Sequence, residues 1–171
     1  DAVFAHNYLT KNKVRLYKSE KNIVINPKYP TLFANLDGII TRHPIMGKKK
    51  GILEIKKING SAVDSYVDQK PPQYVAQVQQ YLMVMEFDYA ELCMRVDGRK
   101  YIVHMIEKDE AIQQAILTQS IAHQERVLKA KELLAIADGD IEDMYSIAAQ
   151  YEPDADATGD FKDFITEKHK E

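Results

Sequence analysis

The stretch GILEIKKI, residues 51–58, alternates between two faces in the way that a half-buried β-strand does. Glu54 and Lys56 lie on the same face, so their carboxylate and ammonium groups are about 6–7 Å apart by the rise of a strand. An acid among isoleucine and leucine side chains is costly to bury unless it has a partner or a function. The stretch therefore predicts a central strand that carries a candidate site. The predicted faces are Ile52, Glu54, Lys56 and Ile58 on one side, and Leu53, Ile55 and Lys57 on the other.

A second acid precedes this strand in the stretch LFANLDGIIT, residues 32–41. The stretch is apolar and predicts another strand, interrupted at Asp37-Gly38. Hard divalent cations such as Mg²⁺ prefer carboxylate, carbonyl and water oxygens. We therefore predict metal binding by Asp37 and Glu54, with the Ile55 backbone carbonyl as a third ligand. The alternatives are a solvated Glu-Lys pair on an exposed strand and an ordinary Asp-Gly turn.

The stretch PPQYVAQVQQYLMVM, residues 71–85, predicts a helix that begins at a proline pair. Its apolar positions are spaced three or four residues apart and form one buried stripe. Tyr74, Gln77 and Tyr81 share the neighbouring face. Gln77 has an amide that can bind a phosphate or a metal-bound water, or it is a polar residue at the boundary of the core. The stripe consists of Val75, Val78, Leu82 and Met85.

The remaining patterns alternate strands with helices, which predicts an α/β fold with a mixed sheet flanked by helices. Asp97-Gly98 is a strong hairpin signal between two strands. Ile112, Ile116 and Leu128 are interpreted as packing residues of a long helix. The predicted elements are the end of a helix at 2–11, a hairpin of 14–18 with 22–26, strands 89–96 and 100–106, and a helix at 109–137.

Charge divides the chain into a basic body and an acidic tail. Residues 138–171 hold 11 Asp/Glu against 3 Lys/Arg, and residues 1–137 hold 15 against 20. These counts give net charges of −8 and +5, which divide the chain into a basic body at 1–137 and an acidic extension at 138–171. A basic body suits a phosphate backbone as ligand, although an average domain with a solvated tail has the same charges.

Several cations stand near the candidate site in the sequence. Lys48, Lys49 and Lys50 precede the Glu54 strand, and Arg42 and Lys57 lie close by. We predict that they contact the DNA backbone; the alternative is a solvated turn. His43 is interpreted as a surface histidine, with contact to DNA as the alternative. The single cysteine, Cys93, is interpreted as a core residue. No apolar stretch is long enough to span a membrane and the N-terminal residues do not form a secretory signal, so we expect a cytoplasmic protein.

Taken in order, these motifs resemble the YqaJ-like viral recombinase family, which is similar to the exonuclease of phage lambda. The resemblance covers residues 32–109 and is carried by LDGII, GILEIKK, PPQYVAQVQQYLMVM and the strand pair that ends at His104–Asp109. It implies a restriction-endonuclease-like PD-(D/E)xK fold, with residues 1–137 as the nuclease domain. It also implies Mg²⁺-dependent digestion of double-stranded DNA from 5′ ends, with Mn²⁺ as a substitute metal and an annealing protein as partner. A homotrimeric ring is a further implication.

By this resemblance, Asp37 and Glu54 bind metal, Lys56 assists the attacking water, and Gln77 supports the site. Tyr74 and Tyr81 belong to the matched helix and are predicted to contact DNA. The family also has a Glu on an N-terminal helix, and we expect that residue to lie upstream of Asp1. Two alternatives stay open: another PD-(D/E)xK endonuclease, and an inactive DNA-binding accessory protein that has kept the fold.

Overall fold

A five-stranded mixed sheet forms the centre of the computed structural model, which describes residues 15–18, 23–60, 66–98, 100–136 and 141–150. The strand order is β1-β4-β5-β6-β7. β5 and β6 are parallel, and the other neighbouring strands are antiparallel. The predicted mixed sheet is therefore confirmed. The strands are β1 (Arg15–Lys18), β4 (Gly38–Arg42), β5 (Gly51–Ile58), β6 (Tyr89–Val96) and β7 (Lys100–Glu107).

Helix α1 (Pro72–Met85) connects β5 to β6, as a parallel pair of strands requires. Pro72 occupies the first helical turn, where its missing N–H costs nothing. Glu86 ends the helix in a left-handed conformation with φ of 54°. The apolar stripe of α1 packs on the sheet with Ile52, Leu92 and Met94. Three of the four predicted stripe residues are fully buried, namely Val75, Val78 and Leu82, whereas Met85 is half-buried.

The apolar run at 32–41 is not one strand. Its first part is β3 (Phe33–Ala34), which pairs with β2 (Val24–Ile25) in a separate two-stranded sheet. Its second part is β4, which pairs with β1 and β5. The prediction of a hairpin between 14–18 and 22–26 was therefore wrong, because local spacing does not reveal that the two strands join different sheets. The break falls beside Asp37.

The described part of the chain that follows α1 forms a β-hairpin and two helices. The Asp97-Gly98 hairpin between β6 and β7 is confirmed, with positive φ at both residues. Helix α2 (Glu110–Ile136) buries Ile112 and Ile116, but Leu128 is 52% exposed, so its predicted packing role was wrong for the described residues. Helix α3 (Ile141–Gln150) follows. The predicted helix at 2–11 lies outside the described residues.

A second, smaller apolar cluster lies on the sheet face opposite α1. It contains Ile40, Leu53, Tyr89 and Cys93. Together with Ile52 on the α1 side, Leu53 confirms the two-faced alternation predicted for β5. Burial raises the pKa of the Cys93 thiol to about 12, so this cysteine is a core thiol and not a nucleophile. None of the helices among the described residues is long and apolar enough to cross a membrane.

Candidate active site

Three polar side chains meet where β5 faces α1. Lys56 Nζ lies 2.7 Å from Glu54 Oε1 and donates a hydrogen bond to Gln77 Oε1, also at 2.7 Å. Gln77 Nε2 donates to the same Glu54 oxygen at 2.9 Å. The strand supplies the acid and the lysine on one face, and the helix supplies the amide. Because each member touches both others, the arrangement forms a closed triangle with little freedom for any side chain to move.

Two tyrosines of α1 hold this triangle from the helix side. Tyr81 is 8% exposed, and its hydroxyl accepts a hydrogen bond from Gln77 Nε2 at 2.8 Å. Lys56 Nζ lies 5.1 Å from the centroid of the Tyr74 ring, which is a cation–π contact. The burial of Tyr81 favours a role in orienting Gln77 over the contact with DNA that the sequence predicts.

Asp37 joins the site from the end of the preceding loop. Its Oδ2 accepts a hydrogen bond of 2.8 Å from the backbone N–H of Ile55, so the acid is held against the middle of β5. Burial raises the pKa of the Glu54 carboxyl; the hydrogen bond from Lys56 lowers it, and the negative charge of Asp37 raises it again. Two acids with this mutual repulsion gain from a shared cation.

The second carboxylate oxygen of Glu54 bears on whether these residues can bind a metal ion. Glu54 is 3% exposed, and its Oε2 is buried without a hydrogen-bond partner. Such an orphaned acceptor costs free energy unless a ligand satisfies it. Among the residues that the structure describes, no group of three or more His, Cys, Asp or Glu could hold a metal ion. The oxygen donors that the described residues bring to this position are the carboxylates of Asp37 and Glu54, and carboxylate oxygens suit hard divalent cations.

The predicted cations are not gathered around this triangle. Lys57 points to the opposite face of β5 from Lys56 and lines a cleft of about 300 Å³ with Arg95 and Asp97. Arg42 is the last residue of β4, and Lys48–Lys50 lie in the turn that leads into β5; all four are exposed. Gly51 is three residues before Glu54, so this turn is about 10 Å along the strand from the triangle.

His43 was wrongly predicted to be a surface residue. It is 6% exposed, and its Nε2 lies 2.9 Å from Oε1 of Glu91, a β6 residue that is also 6% exposed. Sequence reasoning missed Glu91, although YAELCMRV sets this acid among apolar residues in the same way that GILEIKKI sets Glu54. The same buried-acid argument applied to both strands would have found it.

Comparison with known proteins agrees with the fold and the order of motifs. The YqaJ-like viral recombinase domain profile matches residues 2–88, which is just over half of the chain. The chain belongs to the YqaJ-like viral recombinase family, as its motifs predict. No curated protein matches the chain.

Two solved structures of an alkaline exonuclease from Laribacter hongkongensis share the fold, one of them in complex with dAMP. Each has a TM-score of 0.59 and 17% sequence identity to this chain, covering 77% of this chain and 68% of the exonuclease. The predicted restriction-endonuclease-like fold, a mixed sheet flanked by helices, is therefore confirmed.

Proposed function

We propose that this protein is a metal-dependent deoxyribonuclease, and specifically an exonuclease that digests double-stranded DNA from 5′ ends during phage-type recombination. The observation that carries the proposal is the closed triangle of Glu54, Lys56 and Gln77 beside Asp37. Family membership and the alkaline exonuclease fold support the same reading. The ring-shaped homotrimer, the single-strand annealing partner and a cytoplasmic location belong to this proposal.

The chain offers oxygen ligands for Mg²⁺, with Mn²⁺ as a substitute. Asp37 and Glu54 supply carboxylates, and Ile55 supplies its backbone carbonyl. When bound, the metal polarises the phosphate and lowers the pKa of a coordinated water. The buried Glu54 Oε2 is already without a partner. The raised pKa of Glu54 has burial as its largest cause, and a cation favours the ionised form that ligation needs.

Lys56 is the group that stabilises charge. Its side chain is 21% exposed, which leaves room for a phosphate oxygen or the attacking water to approach it. Gln77 accepts a hydrogen bond from this ammonium and fixes its direction, while Tyr74 covers it. A held cation of this kind stabilises the negative charge that develops on phosphate in the transition state, without reorganisation at the moment of reaction.

The test is digestion of linear duplex DNA that is 5′-phosphorylated and labelled at one end, in Mg²⁺ or in EDTA. Covalently closed circular DNA is digested in parallel. We expect Mg²⁺-dependent loss from the 5′ end that spares circles and is abolished by Lys56→Ala. Lys129→Ala, which removes an exposed lysine of α2, is the matched control and should cleave normally.

Each alternative has its own outcome in this assay. Cleavage of the closed circles would indicate an endonuclease of the same superfamily. Absence of any cleavage by the full-length protein, with DNA binding retained in EDTA, would indicate an inactive DNA-binding accessory protein.

A further inference from the structure

The turn that joins β4 to β5 is the most basic short segment near the site. Residues 42–50, RHPIMGKKK, contain four Lys/Arg and no acid, and we name them the basic turn. Only Lys49 among its lysines has a described ion pair, a 3.6 Å contact with exposed Asp88. Exposed ion pairs of this kind contribute little, so the turn presents a strongly positive surface.

The backbone of the basic turn is closely hydrogen-bonded. The N–H of His43 donates to the carbonyl of Gly47, and the N–H of Gly47 donates to the carbonyl of His43, each at 2.9 Å. The His43 side chain adds two contacts, since its Nδ1 accepts hydrogen bonds from the N–H groups of Ile45 at 3.1 Å and Met46 at 3.2 Å. Gly47 has a φ of +65°, which glycine adopts without strain. These bonds fix the shape of the turn.

The turn is also anchored to the sheet beneath it. Because Nδ1 of His43 accepts hydrogen bonds, Nε2 carries the proton and donates to Glu91 Oε1 at 2.9 Å. The Tyr89 ring lies 5.6 Å from the His43 ring and fills the space above Gly51, where a Cβ would lie within 2.4 Å of it. The Tyr89 hydroxyl donates to the carbonyl of Lys49 at 3.4 Å. This buried histidine–glutamate pair plays no part in the proposed chemistry.

The tip of this fixed turn exposes an isoleucine. Ile45 is 80% exposed, the largest exposure among the large apolar side chains of the described residues, while neighbouring Met46 packs into the second apolar cluster. A loose turn could fold such a side chain back onto the protein. The hydrogen bonds of His43 prevent this, so the apolar tip stays in water between cations, at a cost that binding to a ligand would recover.

We propose that the basic turn is a preformed DNA-contacting finger: Ile45 packs against the bases in a groove, the lysines contact phosphates, and the His43–Glu91 pair holds the finger in position. Apolar side chains flanked by cations contact DNA in this way. The inference rests on the proposed nuclease function. To contact both sites, a duplex bound at Glu54 would run past the end of β5 at which the turn lies, about 10 Å or roughly three base pairs away.

The first experiment measures binding of a fluorescent linear duplex by anisotropy in EDTA, where no cleavage occurs. We expect Ile45→Ser to weaken binding about tenfold, which is the effect of losing one buried aliphatic side chain. Its salt dependence should match that of the wild type, because no charge changes. Lys48→Ala should instead lower the slope of log K against log salt by about 1. Ile136→Ser is the matched control, since Ile136 is 77% exposed on α2, and it should bind normally.

The second experiment separates the two sides of the His43 imidazole. His43→Asn keeps an acceptor for the N–H groups of Ile45 and Met46 but loses the contact with Glu91. His43→Gln reaches Glu91 but loses the acceptor. We expect both to raise KM for DNA while kcat stays near the wild-type value, and the melting temperature shows which variants remain folded. A loss confined to kcat would contradict a role in holding the finger.

The outcomes distinguish this inference from the proposed function. Wild-type cleavage with unchanged DNA binding by Ile45→Ser overturns the finger and leaves the nuclease intact. Absence of both binding and cleavage by the wild type overturns both. Vesicles of phosphatidylserine and phosphatidylcholine test the alternative that the turn binds a membrane, whose anionic surface also favours lysines beside an apolar side chain. If Ile45→Ser weakens vesicle binding and not DNA binding, the turn contacts membranes and the proposal is wrong.

Discussion

Two buried glutamates on neighbouring parallel strands invite comparison, because they are buried alike but have different neighbours. Glu54 on β5 and Glu91 on β6 are 3% and 6% exposed, and each pairs through Oε1 with a basic side chain. Each also has a buried Oε2 with no hydrogen-bond partner. Glu54 faces α1, with Lys56 beside it, while Glu91 faces the opposite side of the sheet, with His43 beside it.

The difference lies in what else surrounds each acid. Asp37 adds a second carboxylate next to Glu54 and raises its pKa, whereas the partner of Glu91 is a single histidine that also fixes a turn. The second negative charge beside Glu54 favours the binding of a cation, whereas the single imidazole beside Glu91 does not. Burial of an acid therefore identifies an unusual position, and the neighbouring charges determine whether that position suits a cation.

The largest expected effect separates the two acids by chemistry. Glu54→Gln should lower the cleavage rate at least about 1000-fold, equivalent to roughly 4 kcal/mol of transition-state stabilisation. Glu91→Gln keeps an oxygen to accept from His43 and should change kcat by less than about threefold. Steady-state cleavage of linear duplex measures both. Similar losses of kcat in the two variants would show that the glutamates are not functionally distinct.

A second test compares their contributions to stability. Glu91→Ala leaves the His43 Nε2–H buried without an acceptor, so we expect a loss of about 3 kcal/mol in the free energy of unfolding. Glu54→Gln relieves the burial of a repelled charge and should raise the melting temperature at neutral pH. Chemical and thermal denaturation measure these changes. A destabilised Glu54→Gln would mean that the attraction of Lys56 outweighs burial.

Bound Mg²⁺ should stabilise the folded protein through the site at Glu54 and not through Glu91. Mg²⁺ at 100 times its Kd should add about 2.7 kcal/mol to the free energy of unfolding, which raises the melting temperature by several degrees. Asp37→Asn should abolish this shift, and Glu91→Gln should retain it. Differential scanning fluorimetry with Mg²⁺ and with EDTA measures it. A shift that survives in Asp37→Asn would place the cation elsewhere.

The dependence of stability on pH gives a finer test. Because the folded-state pKa of Glu54 lies above its ordinary value of 4.5, the folded protein binds an extra proton at pH values between those two pKa values. Stability from this group is therefore present below the unfolded pKa and is lost as pH rises through the folded pKa. Glu54→Gln should remove this decline from the metal-free denaturation profile. An unchanged profile would contradict the raised pKa.

The smallest expected effect concerns the hydroxyl behind Gln77. Tyr81→Phe removes one hydrogen bond and should cost about 1 kcal/mol of stability. It should also lower kcat a few-fold while leaving DNA affinity in EDTA unchanged, because Tyr81 orients Gln77 from within the core. A loss of affinity with normal kcat would instead support the contact with DNA predicted from the sequence.

Much of the site was predictable because its key residues lie within regular elements. The period of two in GILEIKKI places Glu54 and Lys56 on one face, and the period of α1 places Gln77 beside Tyr74 and Tyr81. The hairpin at Asp97-Gly98 follows from the backbone preferences of two residues. The metal-binding, catalytic and DNA-binding roles of the site residues are predictions that the cleavage and binding experiments test.

The errors all involve contacts between residues distant in the chain. The division of 32–41 between two sheets depends on which strands pair, and the surface assignment of His43 failed because its partner Glu91 is 48 residues away. Leu128 has the spacing of a packing residue, yet no packing among the described residues buries it, and it is 52% exposed.

The amino-acid sequence was enough to predict the alternation of strands and helices, the family, and the acid and lysine that share a strand face. These follow from local periodicity, which the backbone geometry of strands and helices imposes on neighbouring residues. Tertiary contacts were needed to show that Gln77 closes the triangle, that Asp37 is held against Ile55, and that a buried histidine fixes the basic turn. Such contacts arise when strands and helices pack, and the chain distance between the partners carries no information about them.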